Sequence, residues 1–182
     1  AQRLQLQNGD LDIVSKLPVD QITALQSKPG VVFDKVPSLL VTYLYMNNKK
    51  GPLSNVDARK GVSDAIDYQG ILEGVINNQG KLLKGPIPDG MWAYDASNPD
   101  FKQNPDGAKE SFAKANIGKQ SLTMLYSNRD PNWEPIALTV QANLATYGID
   151  VKLEKLANAT MRDRLGTGDF DLAIGNWSPD FA

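Results

Sequence analysis

The hydrophobic and polar positions of this chain follow two periods, one typical of strands and one typical of helices. Apolar runs rich in β-branched and aromatic residues predict strands at LLVTYLYMN (39–47), SLTMLYS (121–127), GIDVKLEKL (148–156) and DLAIG (171–175). Near the amino terminus, NGDLDIV predicts a turn followed by another short strand, because Asn-Gly is turn chemistry and Leu11, Ile13 and Val14 favour strands.

Apolar residues spaced by three and four predict helices over about 57–66, 108–115 and 134–147. Shorter helices are predicted in LPVDQITALQ, at about 71–76, and through Met161 and Leu165, where Gly166 is expected to end the helix. The long stretch GKLLKGPIPDGMWAYDASNPDFKQNPDG is rich in Gly and Pro and lacks periodicity, so it is predicted to be a surface loop.

The last third of the chain alternates strand, helix, strand, helix, strand, which predicts parallel pairing and an α/β fold. In open α/β sheets, ligands bind beyond the carboxyl ends of the strands. Two predicted strands lead there into NRDPNW, which carries Arg129, and NWSPD, which carries Trp177 and Asp180. A cation and an anion on neighbouring loops can hold the two ends of a zwitterion. The alternative is that both are ordinary solvated loop charges.

Composition removes several classes of function. The net charge is −2, without the basic excess typical of nucleic-acid binders, and no apolar stretch is long enough to cross a bilayer. The absence of cysteine excludes disulfides and thiol chemistry, and the absence of histidine removes Ser-His-Asp catalysis and the usual zinc sites. Asp10-x-Asp12 and Asp169-x-Asp171 lack the further acidic ligands of a calcium loop, so no metal and no cofactor is predicted.

Several motifs, in one order along the chain, resemble the family-5 extracellular solute-binding proteins of ABC transporters. YLYMNNKKGPLSNVDARKGVSDAIDYQGILEGVINNQG resembles the family's Asn-ending strand, Pro-containing loop and "DVRVRQAISYAID" helix. GPIPDGMWAYD is similar to the family's "PIPPGMWGYD", and GDFDLAIGNWSPDFA is similar to its "GDFDLALGGWSPDYADP". The upstream NGDLDIVSKLPVDQITAL resembles the segment that precedes the hinge.

The resemblance implies one lobe of a two-lobe, type II periplasmic-binding-protein fold, with a mainly parallel or mixed sheet flanked by helices. Residues 1–38 are expected to be a hinge-proximal segment, within or beside the first lobe of a longer parent. Residues 39–182 are expected to be an incomplete second ligand-binding lobe. Because the chain begins on Ala1 and ends inside the site motif, it is expected to be a fragment of that parent.

The resemblance also implies roles for three residues. In peptide-binding members the aspartate of the W-x-x-D motif binds the ligand's α-ammonium group, and Asp180 occupies that position. Trp177 is expected to form an apolar wall beside the ligand. Arg129 occupies roughly the place of an arginine that pairs with the ligand carboxylate in dipeptide binders, although the spacing to the next helix differs by a couple of residues.

The implied function is the substrate-binding component of an ABC importer. Such a component captures di- or oligopeptides between two lobes and delivers them to permease subunits, from the periplasm or from a lipid anchor outside the cell. Two alternatives stay open. One is a family member that binds a non-peptide solute such as a nickel chelate or an oligosaccharide. The other is a hydrolase that uses a carboxylate pair drawn from Asp169, Asp171 and Asp180.

Overall fold

A computed structural model describes residues 1–15 and 17–180 of the chain. The chain divides into two compact units, residues 1–38 and residues 39–182, and each is described by itself. Within the described residues, no helix combines the length and the apolar character needed to span a bilayer.

The described residues of the first unit form two short helices, α1 (Gln2–Asn8) and α2 (Val19–Leu25). The helix predicted in LPVDQITALQ is therefore confirmed, with Pro18 as its N-cap. The strand predicted at Leu11–Val14 is wrong, because this stretch has no regular structure and Ile13 is 85% exposed. Strand propensity alone cannot form a strand, since a strand needs a neighbour that completes its hydrogen-bond ladder.

The second unit is built on a four-stranded sheet with the order β1-β4-β2-β3. The strands are β1 (Val41–Met46), β2 (Ser121–Ser127), β3 (Asp150–Leu156) and β4 (Leu172–Trp177). Strand β2 pairs in parallel with β3 and β4, whereas β1 lies antiparallel to β4. The predicted mixed sheet with parallel pairing in the last third is confirmed.

Helices fill both faces of this sheet. They are α3 (Val56–Ala65), α4 (Tyr68–Gly70, continued by a π-helical turn at Ile71–Val75), α5 (Pro105–Lys114), α6 (Trp133–Ala145) and α7 (Asn158–Thr167). The connection through α6 runs from β2 outward to β3, and the one through α7 runs back past β2 to β4. Because such connections are right-handed, the opposite directions put α6 and α7 on opposite faces of the sheet.

The predicted apolar faces form the core. The helix residues Ala58, Val62 and Ala65 of α3, and Ala137, Val140 and Leu144 of α6, are all buried. They join the central strands in one hydrophobic cluster, which includes Leu122, Met124, Leu125, Val151, Leu172, Ala173 and Ile174. Strands β2 and β4 are buried along most of their length, so they read as continuous apolar runs rather than as alternating ones.

Helix α7 ends later than the sequence suggests. Its last residue is Thr167, and Gly168 follows with a φ of 70° in the left-handed region. The amide of Gly168 closes the helix by donating to the carbonyls of Arg164 and Leu165. Gly166 lies inside the helix, so the predicted end at Gly166 is wrong. Gly166 and Gly168 both come after the apolar residues Met161 and Leu165, so the sequence pattern does not distinguish them. The positive φ of Gly168 identifies it as the residue that caps the helix.

Two polar side chains tie β1, β2 and β4 together where β4 begins. Asn47 is buried, and its Nδ2 donates to the carbonyls of Gly168 (3.0 Å) and Phe170 (2.9 Å). The amide of Asn47 donates to the carbonyl of Asp171 at 2.9 Å. The carboxylate of Asp171 in turn accepts the backbone N–H of Thr123 at 2.8 Å. These bonds fix where β4 starts relative to its two neighbours.

The predicted loop between α4 and α5 is confirmed as irregular structure that closes at its base. Lys84 and Asp100 form an isolated antiparallel bridge and an ion pair of 3.4 Å. At the far end of the loop Trp92 is 75% exposed, and Ala93 has a φ of 67°. In the similar family motif this position is a glycine, which adopts positive φ without steric cost.

Replacing Ala93 with glycine is expected to stabilise the chain. The left-handed conformation costs an L-residue about 1–2 kcal/mol, and glycine's greater freedom in the unfolded chain offsets about 0.4–1 kcal/mol of that. We expect a net gain of about 0.5–1 kcal/mol in the free energy of unfolding, measured by urea denaturation.

The matched control is Ala142→Gly on the exposed side of α6, where the backbone is helical. This variant is expected to lose about 0.5–1 kcal/mol. A loss of stability in both variants would contradict the strain assigned to Ala93.

Candidate functional site

The carboxyl edge of the sheet gathers the residues singled out from the sequence. Because β2, β3 and β4 run in parallel, their carboxyl ends share this edge, and antiparallel β1 begins there. The register of β2 and β4 pairs Leu125 with Ala173, so Ser127 at the end of β2 is level with Gly175, and β4 continues two residues further to Trp177. The turn after β2 therefore begins beside the last residues of β4.

Trp177 is the last residue of β4 and lies opposite Val41 on β1. Its side chain is 45% exposed, whereas Ile174, earlier in the strand, is 1% exposed. Strand β4 thus changes from a core strand into a surface at its last residues. A half-exposed indole at a strand end offers a large apolar surface to a ligand or to a partner lobe.

Asp180 lies three residues beyond β4 and is exposed to solvent. Among the residues described, none forms an ion pair or a hydrogen bond with its carboxylate. Pro179, the residue before it, is half-buried. Asp180 is therefore an exposed charge at the carboxyl edge without a partner among the described residues.

Arg129 lies in the turn after β2, two residues past the strand end, and its side chain is exposed. Its backbone N–H donates to the Oγ of buried Ser127 at 3.3 Å, which fixes the start of the turn. Within residues 1–15 and 17–180 its guanidinium has no carboxylate partner. The structure therefore puts Arg129, Trp177 and Asp180 at one edge without internal charge pairing.

Tyr43 and Tyr45 of β1 form an aromatic row on one face of the sheet next to this edge. The sequence pattern did not single out this row. Tyr43 lies opposite Gly175 and Tyr45 lies opposite Ala173, so both rings share the face of the sheet on which Trp177 lies. The two tyrosine rings stack with centroids 6.0 Å apart, and the Tyr43 hydroxyl donates to the carbonyl of Pro86 at 2.8 Å. Burial raises the pKa of both phenols.

Gly175 is the position that lets this row approach β4. A Cβ built on Gly175 would overlap the ring of Tyr45. The only signal in the sequence is a glycine within an otherwise apolar strand opposite alternating tyrosines, and such a glycine often marks a close approach. Gly175 thus sets how closely β1 covers the strand that carries Trp177.

Asp169 and Asp171, the other two carboxylates of the hydrolase alternative, lie away from this edge. Asp171 precedes β4 and bonds Thr123, and Asp169 pairs with Arg164 at 2.8 Å. The six residues of β4 separate them from Asp180, a length of about 20 Å in an extended strand. Paired carboxylates in glycosidases lie about 5–9.5 Å apart, so this geometry does not support the hydrolase alternative. The described residues also hold no cluster of three acidic side chains suited to a metal.

Sequence comparison identifies the family of this chain's relatives. Residues 1–182 match the bacterial extracellular solute-binding proteins, family 5 Middle. The chain is 54% identical over 182 residues to the "Probable D,D-dipeptide-binding periplasmic protein DdpA" of Escherichia coli K12, covering 100% of this chain and 35% of that protein. It is 26% identical over 181 residues to heme-binding protein A of Haemophilus influenzae, covering 97% of this chain and 33% of that protein.

Comparison with solved structures also finds periplasmic binding proteins. The periplasmic binding protein DppA of Helicobacter pylori, in complex with the peptide STSA, matches with a TM-score of 0.91 and 25% identity, over 100% of this chain and 35% of that one. The likeness confirms the predicted fold class, an α/β lobe of the type II periplasmic-binding-protein kind. The chain spans about a third of the length of the relatives it matches.

Replacing Gly175 with alanine is expected to destabilise the chain through the ring of Tyr45. Forcing a methyl group into this packed contact costs about 1–3 kcal/mol, which urea denaturation measures. In a Tyr45→Ala background the overlap is absent, and alanine in a strand is favoured over glycine by about 0.5–1 kcal/mol. The loss is therefore expected to vanish or to reverse.

Gly166→Ala on α7 is the matched control, because a Cβ there meets nothing within 4 Å. That change is expected to be neutral or stabilising, since alanine favours helix. An equal loss for Gly175→Ala with and without the Tyr45 ring would show that the ring does not set the approach of the strands.

Proposed function

This chain belongs to the family-5 bacterial extracellular solute-binding proteins, and we propose that it supplies part of the ligand cleft of an ABC importer's peptide receptor. The observation that carries the proposal is the carboxyl edge, where exposed Arg129, Trp177 and Asp180 lie on neighbouring strand ends without internal charge partners. The receptor binds its ligand and performs no covalent step on it.

The three residues recognise a short peptide by its two charged ends. The carboxylate of Asp180 accepts charge-assisted hydrogen bonds from the ligand's α-ammonium group. The guanidinium of Arg129 pairs with the ligand's terminal carboxylate, and its planar fork suits that group. The indole of Trp177 packs against the apolar part of the ligand and excludes water from the ammonium contact, which strengthens that contact.

The cleft needs a second lobe. Residues 39–182 are proposed to form part of the second lobe, and residues 1–38 a hinge-proximal segment within or beside the first. Ligand contacts from both lobes stabilise the closed form, so binding and closure are coupled. The closed receptor then presents the peptide to permease subunits, either as a free periplasmic protein or on a lipid anchor.

Short peptides are the proposed ligands. The name of the 54% identical relative refers to D,D-dipeptides, and the matched Helicobacter pylori protein holds a four-residue peptide. A non-peptide solute is the second candidate, because heme-binding protein A is also a relative over most of this chain. The two candidates differ in one requirement, since only an amine-bearing ligand needs the carboxylate of Asp180.

Binding is expected to require both lobes. Isothermal titration of this chain alone with dipeptides is expected to give no measurable binding, with a Kd weaker than about 1 mM. A full-length receptor, made by grafting these 182 residues into the matching third of E. coli DdpA, is expected to bind. Tight peptide binding by the chain alone would contradict the two-lobe account.

Replacing Asp180 with asparagine in the grafted receptor is expected to weaken the binding of free-amine dipeptides far more than the binding of N-acetylated dipeptides. Removing one partner of a buried charge pair costs about 2–5 kcal/mol, and the acetylated ligand has no ammonium to lose. Asp163→Asn, an exposed aspartate on α7, is the matched control and is expected to change neither affinity. Equal losses of affinity for both ligands would show that Asp180 does not bind the ligand's ammonium group.

A further inference from the structure

A small pocket lies beside the proposed site and outside its three residues. It occupies about 240 Å³ at the carboxyl ends of β2 and β3, between the turn after β2 and the first turn of α6. A water molecule takes about 30 Å³ in the liquid, so the pocket has room for the end of one side chain. Ser127, Asp130, Glu134 and Lys155 contribute its polar lining.

Two charged groups that line the pocket, Lys155 and Glu134, form an ion pair with each other. The Nζ of Lys155 lies 2.6 Å from the Oε2 of Glu134, and the Tyr126 hydroxyl donates to Oε1 at 3.2 Å. The hydrogen bond from Lys155 lowers the pKa of Glu134, and the same bond raises the pKa of Lys155. Both groups therefore stay charged at neutral pH, and their charges cancel within the pocket.

Asp130 adds a negative charge that this pair does not balance. Its Oδ1 accepts the backbone N–H of Asn132 at 2.9 Å, and in the described part of the chain no group donates to Oδ2. Asp130 is half-buried, and no cation of the described residues forms an ion pair with it. The pocket consequently carries one net negative charge.

Ser127 supplies a second polar group at the base of the pocket. The residue is 1% exposed, and its Oγ accepts the backbone N–H of Arg129. In the described ranges this N–H is the one donor to the Oγ. Because a hydroxyl oxygen has two lone pairs, the Oγ keeps one acceptor position for a donor that enters the pocket, which an apolar occupant would leave unused.

These charges select one class of occupant. A carboxylate entering the pocket would meet Asp130 and Glu134, and an apolar side chain would offer no donor to the Oδ2 of Asp130 or to the Oγ of Ser127. We propose that the pocket is a specificity subsite for a protonated amine on a ligand side chain, with Asp130 as its counter-ion. The proposal rests on the proposed function, since the ligand backbone must be bound at the same edge.

The test compares a dipeptide that carries lysine with the same dipeptide carrying norleucine, which lacks the amine, by titration into the grafted receptor. We expect the lysine ligand to bind about tenfold more tightly, as a charge-assisted hydrogen bond allows. Asp130→Asn keeps the Oδ1 acceptor for Asn132, so the turn is preserved. This variant is expected to abolish the preference and to leave the norleucine affinity unchanged.

Asp163→Asn is the control and is expected to keep the tenfold preference. Binding of both ligands with equal affinity by the unmodified receptor would overturn the subsite and leave the receptor function intact. A preference for lysine that survives Asp130→Asn would also overturn it. Failure of both ligands to bind at all would overturn the receptor function, and the subsite with it.

Discussion

The parallel pairing of β4 with β2 is the constraint on which the rest of the structure depends. Only two residue pairs, Met124 with Leu172 and Leu125 with Ala173, form this ladder. Asp171 extends it, because its amide donates to the carbonyl of Thr123 (3.2 Å) and its carboxylate accepts the Thr123 N–H (2.8 Å). The direction and register of β4 are thereby fixed, and with them the edge at which Trp177 emerges.

The position of each of three aspartates relative to the strands decides what its carboxylate does. Asp171 precedes the strand and uses its carboxylate inside the fold, so it is a structural residue. Asp180 follows the strand, is exposed, and has no such partner among the described residues. Asp130 follows β2, and its Oδ1 holds its own turn while the residue also lines the pocket beside the site. Residue type alone does not distinguish these three aspartates.

The sequence predicts an element and its buried face correctly where the local pattern and the tertiary structure agree. The strand at Ser121–Ser127 was predicted with its observed bounds, and the buried face of α3 was read from spacing alone. The strand prediction is wrong at Leu11–Val14, where strand-forming residues have no neighbouring strand to pair with. The stacking of Tyr43 and Tyr45 over β4 depends on register between segments more than 100 residues apart, which no local pattern encodes.

A crystal structure of the grafted full-length receptor with a bound dipeptide tests the central claim most directly. The account predicts that a carboxylate oxygen of Asp180 lies about 2.7–2.9 Å from the ligand's α-ammonium nitrogen, the distance of a charge-assisted hydrogen bond. A ligand whose ammonium group is bound by other residues, with Asp180 facing bulk solvent, would contradict it.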